Sequence, residues 1–294
     1  MKRYTIEGEI DLVKVAIERL KAFEDFALQM NPGGYYVAYS GGKDSDTIRI
    51  LCELAGVKHE LWHNLTTVDA PETVRYVYSV VPKENINKPE LSMWKLIVKK
   101  RTPPTRLRRY CCKELKENSG RNRFVVTGVR RAESYQRSDR ESLEIVTNSK
   151  KNRVIFTGDN DENRRMIENC RTKGTRTLNL IIEWDDNDVW EFLNYYGCKS
   201  NPLYQCGYKR IGCIGCPMAN RAMEKEFADY PAYKASYIRS FDRMLKKRVE
   251  DGLPTTWNSG EEVFDWWISD KAAEIDLDGQ LDFWDFEDYD PKLG

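Results

Sequence analysis

The segment Tyr35-Tyr36-Val37-Ala38-Tyr39-Ser40-Gly41-Gly42-Lys43-Asp44-Ser45 constrains this chain more than any other. Its first five residues read as a buried strand, and two glycines follow almost at once. Over residues 46–55, apolar side chains recur at Ile48, Leu51, Cys52 and Ala55, the spacing of one helix face, and Gly56 stops the run. A strand, a glycine-rich loop and a helix in that order present backbone N–H groups and a positive dipole end to an anion. Gly41 and Gly42 remove the Cβ atoms that would keep a phosphate away, Ser40 and Ser45 offer hydroxyls, and Lys43 adds a positive charge. Asp44 is placed to orient Lys43 or to cap an N–H. The Gly-x-x-x-x-Gly-Lys spacing of a Walker loop is absent.

The pattern repeats along the chain. Residues 9–30 carry apolar side chains at Ile10, Val13, Ile17, Leu20, Phe23 and Ala27, which predicts an N-terminal helix ended by Asn31-Pro32-Gly33-Gly34. Further strands are expected over residues 58–64, 124–129 and 177–184, with a helix over 187–196. Strands alternating with helices predict an α/β fold around a doubly wound, mostly parallel sheet. Beyond Gly197 a Cys- and Gly-rich loop precedes helical, aromatic-rich segments over 230–248 and 261–270. The expected organisation is an N-terminal helix (1–34), an anion-binding α/β domain (35–197) and a Cys-rich, helical C-terminal appendage (198–294). The polar insertion over residues 135–158 has too weak a period to assign.

No apolar run approaches the roughly 20 residues of a membrane helix, so no membrane partner is expected. The N-terminus lacks an apolar signal core, which predicts a cytoplasmic protein. In that reducing compartment eight cysteines read as metal ligands, catalytic thiols or buried apolar residues before disulfides. The formal net charge of zero hides an asymmetry: residues 95–131 hold thirteen Lys or Arg against two Glu, and residues 261–294 hold twelve Asp or Glu against two Lys. The basic centre suits a polyanionic ligand or a solvated face.

Ser40 to Ser45 resembles the signature loop of the ATP pyrophosphatases, which cleave ATP between its α and β phosphates. Further landmarks follow in order: Val68-Asp69-Ala70-Pro71-Glu72-Thr73, Thr127-Gly128-Val129-Arg130-Arg131-Ala132-Glu133-Ser134, Trp184-Asp185-Asp186-Asn187-Asp188-Val189-Trp190 and Arg210-Ile211-Gly212-Cys213-Ile214-Gly215-Cys216-Pro217. Together they resemble the phosphoadenosine phosphosulfate reductase family over residues 35–220. The resemblance implies an adenine nucleotide α-hydrolase-like fold with the nucleotide over the carboxyl ends of the strands. It implies that Asp69 faces the nucleotide or a Mg2+ ion, the alternative being an Asx turn before Pro71, and that Gly128 and Arg130 form a nucleotide-contacting turn. Arg131 and Arg137 are weaker candidates for that role. Asp185 is expected only to cap a helix.

Cys213-x-x-Cys216 is a tight two-ligand turn, and Cys111-Cys112 supplies a second thiol pair upstream. The arrangement resembles the adenylylsulfate reductases, which hold a [4Fe-4S] cluster through an adjacent pair and a C-x-x-C pair; Zn2+ is the alternative, because four thiolates also satisfy it. Cys206 or Cys170 is an alternative to Cys111 as ligand, and Cys52 and Cys198 read as structural. His59 and His63, the two histidines, are assigned no role. The family's reductases attack with a C-terminal cysteine and typically lack the complete loop, whereas this sequence has the loop and no cysteine after Cys216. The expected activity is cleavage of ATP to AMP and pyrophosphate with adenylylation of an acceptor, Lys43 and Asp69 acting in catalysis and the cluster linked to sulfur transfer. The alternatives are a sulfonucleotide reductase and a nucleotide- or nucleic-acid-binding module without turnover. Besides the nucleotide, the partners left open are a nucleic-acid acceptor, a sulfur-donor protein and a second copy of the chain.

Overall fold

The computed structural model describes residues 2–5, 8–116, 119–133, 142–146, 154–156, 175–219 and 222–269. Cys170, Arg137, most of the 135–158 insertion and the acidic end from residue 270 lie outside the described residues. The chain divides into two compact units that interleave along the sequence. One comprises Met1–Asn64, Ala70–Lys88 and Asn118–Gly212; the other comprises Leu65–Asp69, Pro89–Glu117 and Cys213–Gly294. The division therefore does not follow the expected 1–34, 35–197 and 198–294 segments, because the second unit takes in two stretches from the middle of the chain.

The first unit is built on a seven-stranded sheet. A short antiparallel hairpin, β1 (Lys2–Thr5) and β2 (Gly8–Asp11), precedes helix α1 (Leu12–Met30). This hairpin breaks the expected helical run from residue 9, and Asp11 becomes the N-cap, accepting from Val13 N at 3.1 Å and Lys14 N at 3.3 Å. The expected apolar face of α1 does pack inward: Ala16, Leu20, Phe23 and Ala27 are buried. There follow β3 (Tyr35–Ala38), α2 (Lys43–Ala55), β4 (His59–Asn64), α3 (Pro71–Val80) and β5 (Ile86–Asn87). Later in the chain come β6 (Phe124–Thr127), β7 (Leu143–Val146), β8 (Val154–Phe156), β9 (Thr175–Asn179) and a helix, Asp186–Tyr195.

The strand order is β5-β4-β3-β6-β9-β7-β8. The first five are mutually parallel, with Val37 opposite both Leu61 and Val126, while β7 runs antiparallel to both β9 and β8. The insertion with no readable period thus supplies an antiparallel pair at one edge of the sheet. The expected strand over 177–184 ends at Asn179, and residues 180–183 form turns that bury Leu180, Ile181 and Ile182. An apolar run of that kind reads as strand because burial alone raises its hydrophobicity.

The second unit is helical: α4 (Met93–Lys100), α5 (Tyr110–Leu115) and, numbering Asp186–Tyr195 as α6, α7 (Ala222–Asp229), α8 (Pro231–Glu250) and α9 (Gly260–Ile268). Helix α8 packs against α4 and α9 through rings, with Tyr237 edge-on to Trp94 at 4.9 Å and tilted on Trp267 at 4.7 Å. Arg248, buried on α8, donates from Nη1 to the carbonyl of Arg101 at 2.9 Å and from its other nitrogens to Pro254 O. No helix among the described residues is long and apolar enough to cross a membrane.

Candidate functional site

In the first unit, the loop from Ser40 to Gly42 leaves the carboxyl end of β3 and enters α2. Gly41 has φ +78, the left-handed region, and a Cβ there would lie 2.9 Å from Val77 Cγ2 and 3.3 Å from Thr73 Cγ2. Ser45 turns back on the loop: its Oγ accepts from Gly42 N at 3.0 Å and donates to Gly42 O at 2.7 Å. Asn201 Nδ2 donates to Gly41 O and to Thr73 Oγ1, both at 3.0 Å. Lys43 N, one of the free donors at the start of α2, donates to Tyr204 Oη at 2.8 Å. Burial raises the Tyr204 phenol, so the hydroxyl stays protonated while it accepts this bond. Sequence reasoning missed Asn201 and Tyr204, which reach the loop from about 160 residues away.

Four charges meet at the same helix end. Arg130, 2% exposed, donates from Nε to Asp44 Oδ1 at 2.7 Å and from Nη2 to Asp186 Oδ1 at 2.6 Å. Lys43 Nζ lies 3.4 Å from both Asp44 Oδ2 and Asp186 Oδ1. Gly128 permits the arrangement, because a Cβ there would sit 3.0 Å from both Cβ and O of Asp44. The structure therefore gathers Ser40, Gly41, Gly42, Lys43, Asp44, Ser45, Gly128 and Arg130 at one place and adds Asp186. Partial burial works against ionisation of Asp186, but the Arg130 hydrogen bond and the Lys43 charge prevail and hold its carboxyl below the usual range. The signal for Asp186 was present. Asp185 and Asp188 alone complete the cap of α6, Asp188 N donating to Asp185 Oδ1 at 2.9 Å and Asp185 N to Asp188 Oδ2 at 2.8 Å, so Asp186 is the acid the cap leaves over.

One turn further along α2, Asp46 is fully buried and accepts from Tyr39 Oη at 2.6 Å and from Tyr76 Oη at 3.0 Å. Burial raises its pKa despite these hydrogen bonds. An open cavity of about 510 Å³ is lined by Arg49, Glu53, Tyr76, Tyr196, Cys198 and Lys199, and none of residues 40–45 borders it. His63 Nδ1 is 2.8 Å from Tyr39 O and His59 Nδ1 is 2.9 Å from Val57 O, both backbone contacts.

In the second unit, Cys213 and Cys216 bracket a turn closed by Cys216 N donating to Cys213 O at 3.2 Å. Gly215 has φ +72, and a Cβ there would meet Phe227, Trp267 and Tyr237 at 2.8–2.9 Å, so the turn is seated on an aromatic floor. Tyr237 Oη donates to Ile214 O at 2.9 Å, and the Gly215 amide donates to Glu226 Oε2 at 2.8 Å. Cys213 also bridges to Asp69, whose carboxylate accepts from Thr66 N at 2.7 Å and whose carbonyl accepts from Tyr233 Oη at 2.8 Å. Asp69 thus belongs to the unit that carries the cysteines. Cys111 and Cys112 share a hydrogen bond, which with burial and the nearby Cys213 and Cys216 pushes the Cys111 thiol up. Burial raises the Cys213 thiol, with Lys116 acting in the opposite direction.

Cys111 lies within electrostatic reach of Cys112, Cys213 and Cys216, and thiols are the donor type that suits a thiophilic metal centre. Among the described residues, however, no three His, Cys, Asp or Glu side chains already stand around one ion position. Cys206 is exposed, Cys52 is buried on α2 and Cys198 lies in the first unit.

Comparison with known proteins gives the chain its relatives. A family model described as the phosphoadenosine phosphosulfate reductase domain matches residues 34–219. An uncharacterised 37.8 kDa protein of Escherichia phage 186 is 27% identical over 71% of this chain and 56% of its own length. An uncharacterised protein of Methanocaldococcus jannaschii is 29% identical over 63% of this chain and 42% of its own, so the chain spans about half the length of these relatives. Adenosine 5'-phosphosulfate reductase of Allochromatium vinosum is 35% identical over 46 residues, 16% of this chain and 18% of that protein. Among solved structures, the phosphate complex of phosphoadenylyl-sulfate reductase from Candida auris is 18% identical with a TM-score of 0.44, covering 70% of this chain and 93% of that one.

Proposed function

The chain belongs to the phosphoadenosine phosphosulfate reductase family, and from that premise we propose that it is an ATP pyrophosphatase: it binds ATP at the Ser40–Ser45 loop and splits it between the α and β phosphates, passing the AMP moiety to an acceptor and releasing pyrophosphate. AMP is freed when it is displaced from that acceptor in turn. The observation that carries this reading is the meeting of Lys43 and Arg130 with the amino end of α2 at the carboxyl end of β3. Open parallel sheets bind ligands at that end of their strands. An acceptor oxygen forms its bond to the α-phosphorus as the bond from that phosphorus to the bridging oxygen breaks, and the electron pair leaves on pyrophosphate. Lys43 and Arg130 are the groups placed to receive that charge, and a single such donor is worth on the order of 100-fold in rate. Gly128 serves by letting Arg130 and Asp44 close over the helix end.

Asp44 is of the oxygen-donor type that would complete the shell of Mg2+ carried in on phosphates. Cys111, Cys112, Cys213 and Cys216 would hold an iron–sulfur cluster, or zinc in its place, and Lys116 would balance its negative charge. Such a cluster would bind or activate sulfur for transfer to the adenylylated acceptor. Asp69, bridged to Cys213, would position that loop. A nucleic acid or a sulfur-donor protein would be the partner, with the basic residues between 95 and 131 as its footprint.

The second reading, a sulfonucleotide reductase, is favoured by the short match to the Allochromatium reductase. Anaerobic protein incubated with ATP, and separately with adenylylsulfate or its 3'-phosphorylated form plus thioredoxin and reductant, separates the two. Pyrophosphate from ATP supports the first. Catalytic sulfite without pyrophosphate would replace it by the second.

A further inference from the structure

Lys43 is 7% and Arg130 2% exposed, and cations so far from water must be paired. Two carboxylates supply the pairing, from very different positions. Asp44 is the neighbour of Lys43 in α2 and is packed under Gly128. Asp186 comes from another helix, and its side chain is 69% exposed although the Arg130 side chain it binds is 2% exposed. Water can therefore receive the Asp186 carboxylate at little cost, whereas Asp44 is fixed by its helix.

The atoms that Asp186 occupies are those an incoming phosphate requires. Its Oδ1 alone takes Arg130 Nη2 at 2.6 Å and stands 3.4 Å from Lys43 Nζ. Asp44 takes Arg130 through Nε and shares Lys43 Nζ through Oδ2 at 3.4 Å, so it leaves Arg130 Nη2 to Asp186 alone. We infer that Asp186 is an internal counter-ion occupying the phosphate-facing donors of Lys43 and Arg130, which a polyphosphate displaces and a weakly charged anion does not. This rests on the reading of the loop as a phosphate site and adds a determinant of its selectivity. A ligand with three or four negative charges gains more from the two cations than one carboxylate does, and the freed Asp186 moves into water. An anion of lower charge offers little advantage over the resident carboxylate.

The test is calorimetric titration of pyrophosphate and of sulfate, with EDTA present, into wild type, Asp186→Asn and Asp186→Glu. Asp186→Asn is expected to bind pyrophosphate about fivefold more tightly, the equivalent of one partly screened ion pair. Its sulfate affinity should rise by a larger factor, so the ratio between the two ligands falls, and Asp186→Glu should restore the wild-type ratio. Wild-type pyrophosphate binding with an unchanged or weaker Asp186→Asn would overturn the counter-ion and leave the phosphate site standing. Failure of both folded proteins to bind pyrophosphate would remove the phosphate site and the counter-ion together.

Discussion

The phosphate loop and the cysteine loop are both tight glycine turns, yet they are finished to different degrees. At the first, carboxylates meet Lys43 and Arg130, and side chains from residues 201 and 204 hold the turn's backbone. At the second, the backbone is equally well held, by Tyr237, Glu226 and an aromatic floor, but the thiols do not surround one point among the described residues. An anion site is complete when its donors are fixed, whereas a thiolate metal site is completed by the metal, which deprotonates its ligands and draws them in.

The largest effect expected follows from this contrast. Replacing Cys213 and Cys216 together by Ser should take bound iron and acid-labile sulfide from stoichiometric to background in anaerobically purified protein. Stoichiometric zinc without iron in the wild type would convert the cysteine loop into a structural zinc site and remove the sulfur-transfer part of the proposal. On the other side of the comparison, Lys43→Ala should weaken ATP binding by about 10- to 100-fold, the worth of one charge-assisted contact, while leaving iron content at the wild-type value. Equal ATP affinity and equal pyrophosphate release in the variant would end the nucleotide reading.

The two turns also predict an ordered pair of stability losses. Gly41→Ala and Gly215→Ala each force an L-residue into a left-handed conformation, at about 1–3 kcal/mol. Gly215→Ala should cost the more, because its Cβ would press on three rings, whereas the contacts at Gly41 are two methyl groups. Denaturant midpoints of the two variants measure this. A larger loss at Gly41 would mean that the aromatic floor yields and is not the rigid seat of the cysteine turn.

Much of this was legible in the sequence, and the reasons differ by residue. The strand, loop and helix around Gly41 are local, and local periodicity reports them. Gly128 and Arg130 carried a resemblance to a known turn, and the structure gives their packing reason in Asp44. Asn201 and Tyr204 could not be found, because nothing in a neighbourhood of ten residues records a partner 160 positions away. The resemblance alone pointed Asp69 at the nucleotide, and its backbone bridge to Cys213 is a long-range pairing that local sequence does not record. The interleaving of the units escaped for the same reason: composition shifts mark where a chain changes character, not where it returns. Gly215 was legible as small, but its amide goes to Glu226 and its missing Cβ accommodates three rings.

The smallest effect concerns two carboxyls shifted in opposite directions. Burial raises Asp46, which two tyrosine hydroxyls hold, and cationic partners lower Asp186. A raised carboxyl retains in the folded state a proton that the unfolded chain has released. Its contribution to stability is fully present below the ordinary carboxylate range, near pH 4, and is lost as pH rises through the raised folded value. A lowered carboxyl has the opposite sign: it contributes above pH 4 and loses that contribution on acidification through its folded value. Acidifying from pH 7 to pH 5 should therefore raise the stability of wild type relative to Asp46→Asn. Wild type relative to Asp186→Asn should stay nearly constant over that window and fall only below about pH 4. Denaturant unfolding of the three proteins across pH 3–8 reads both slopes. If wild type instead lost stability relative to Asp46→Asn on acidification, the hydrogen bonds from Tyr39 and Tyr76, which favour the carboxylate, would outweigh the burial that raises Asp46.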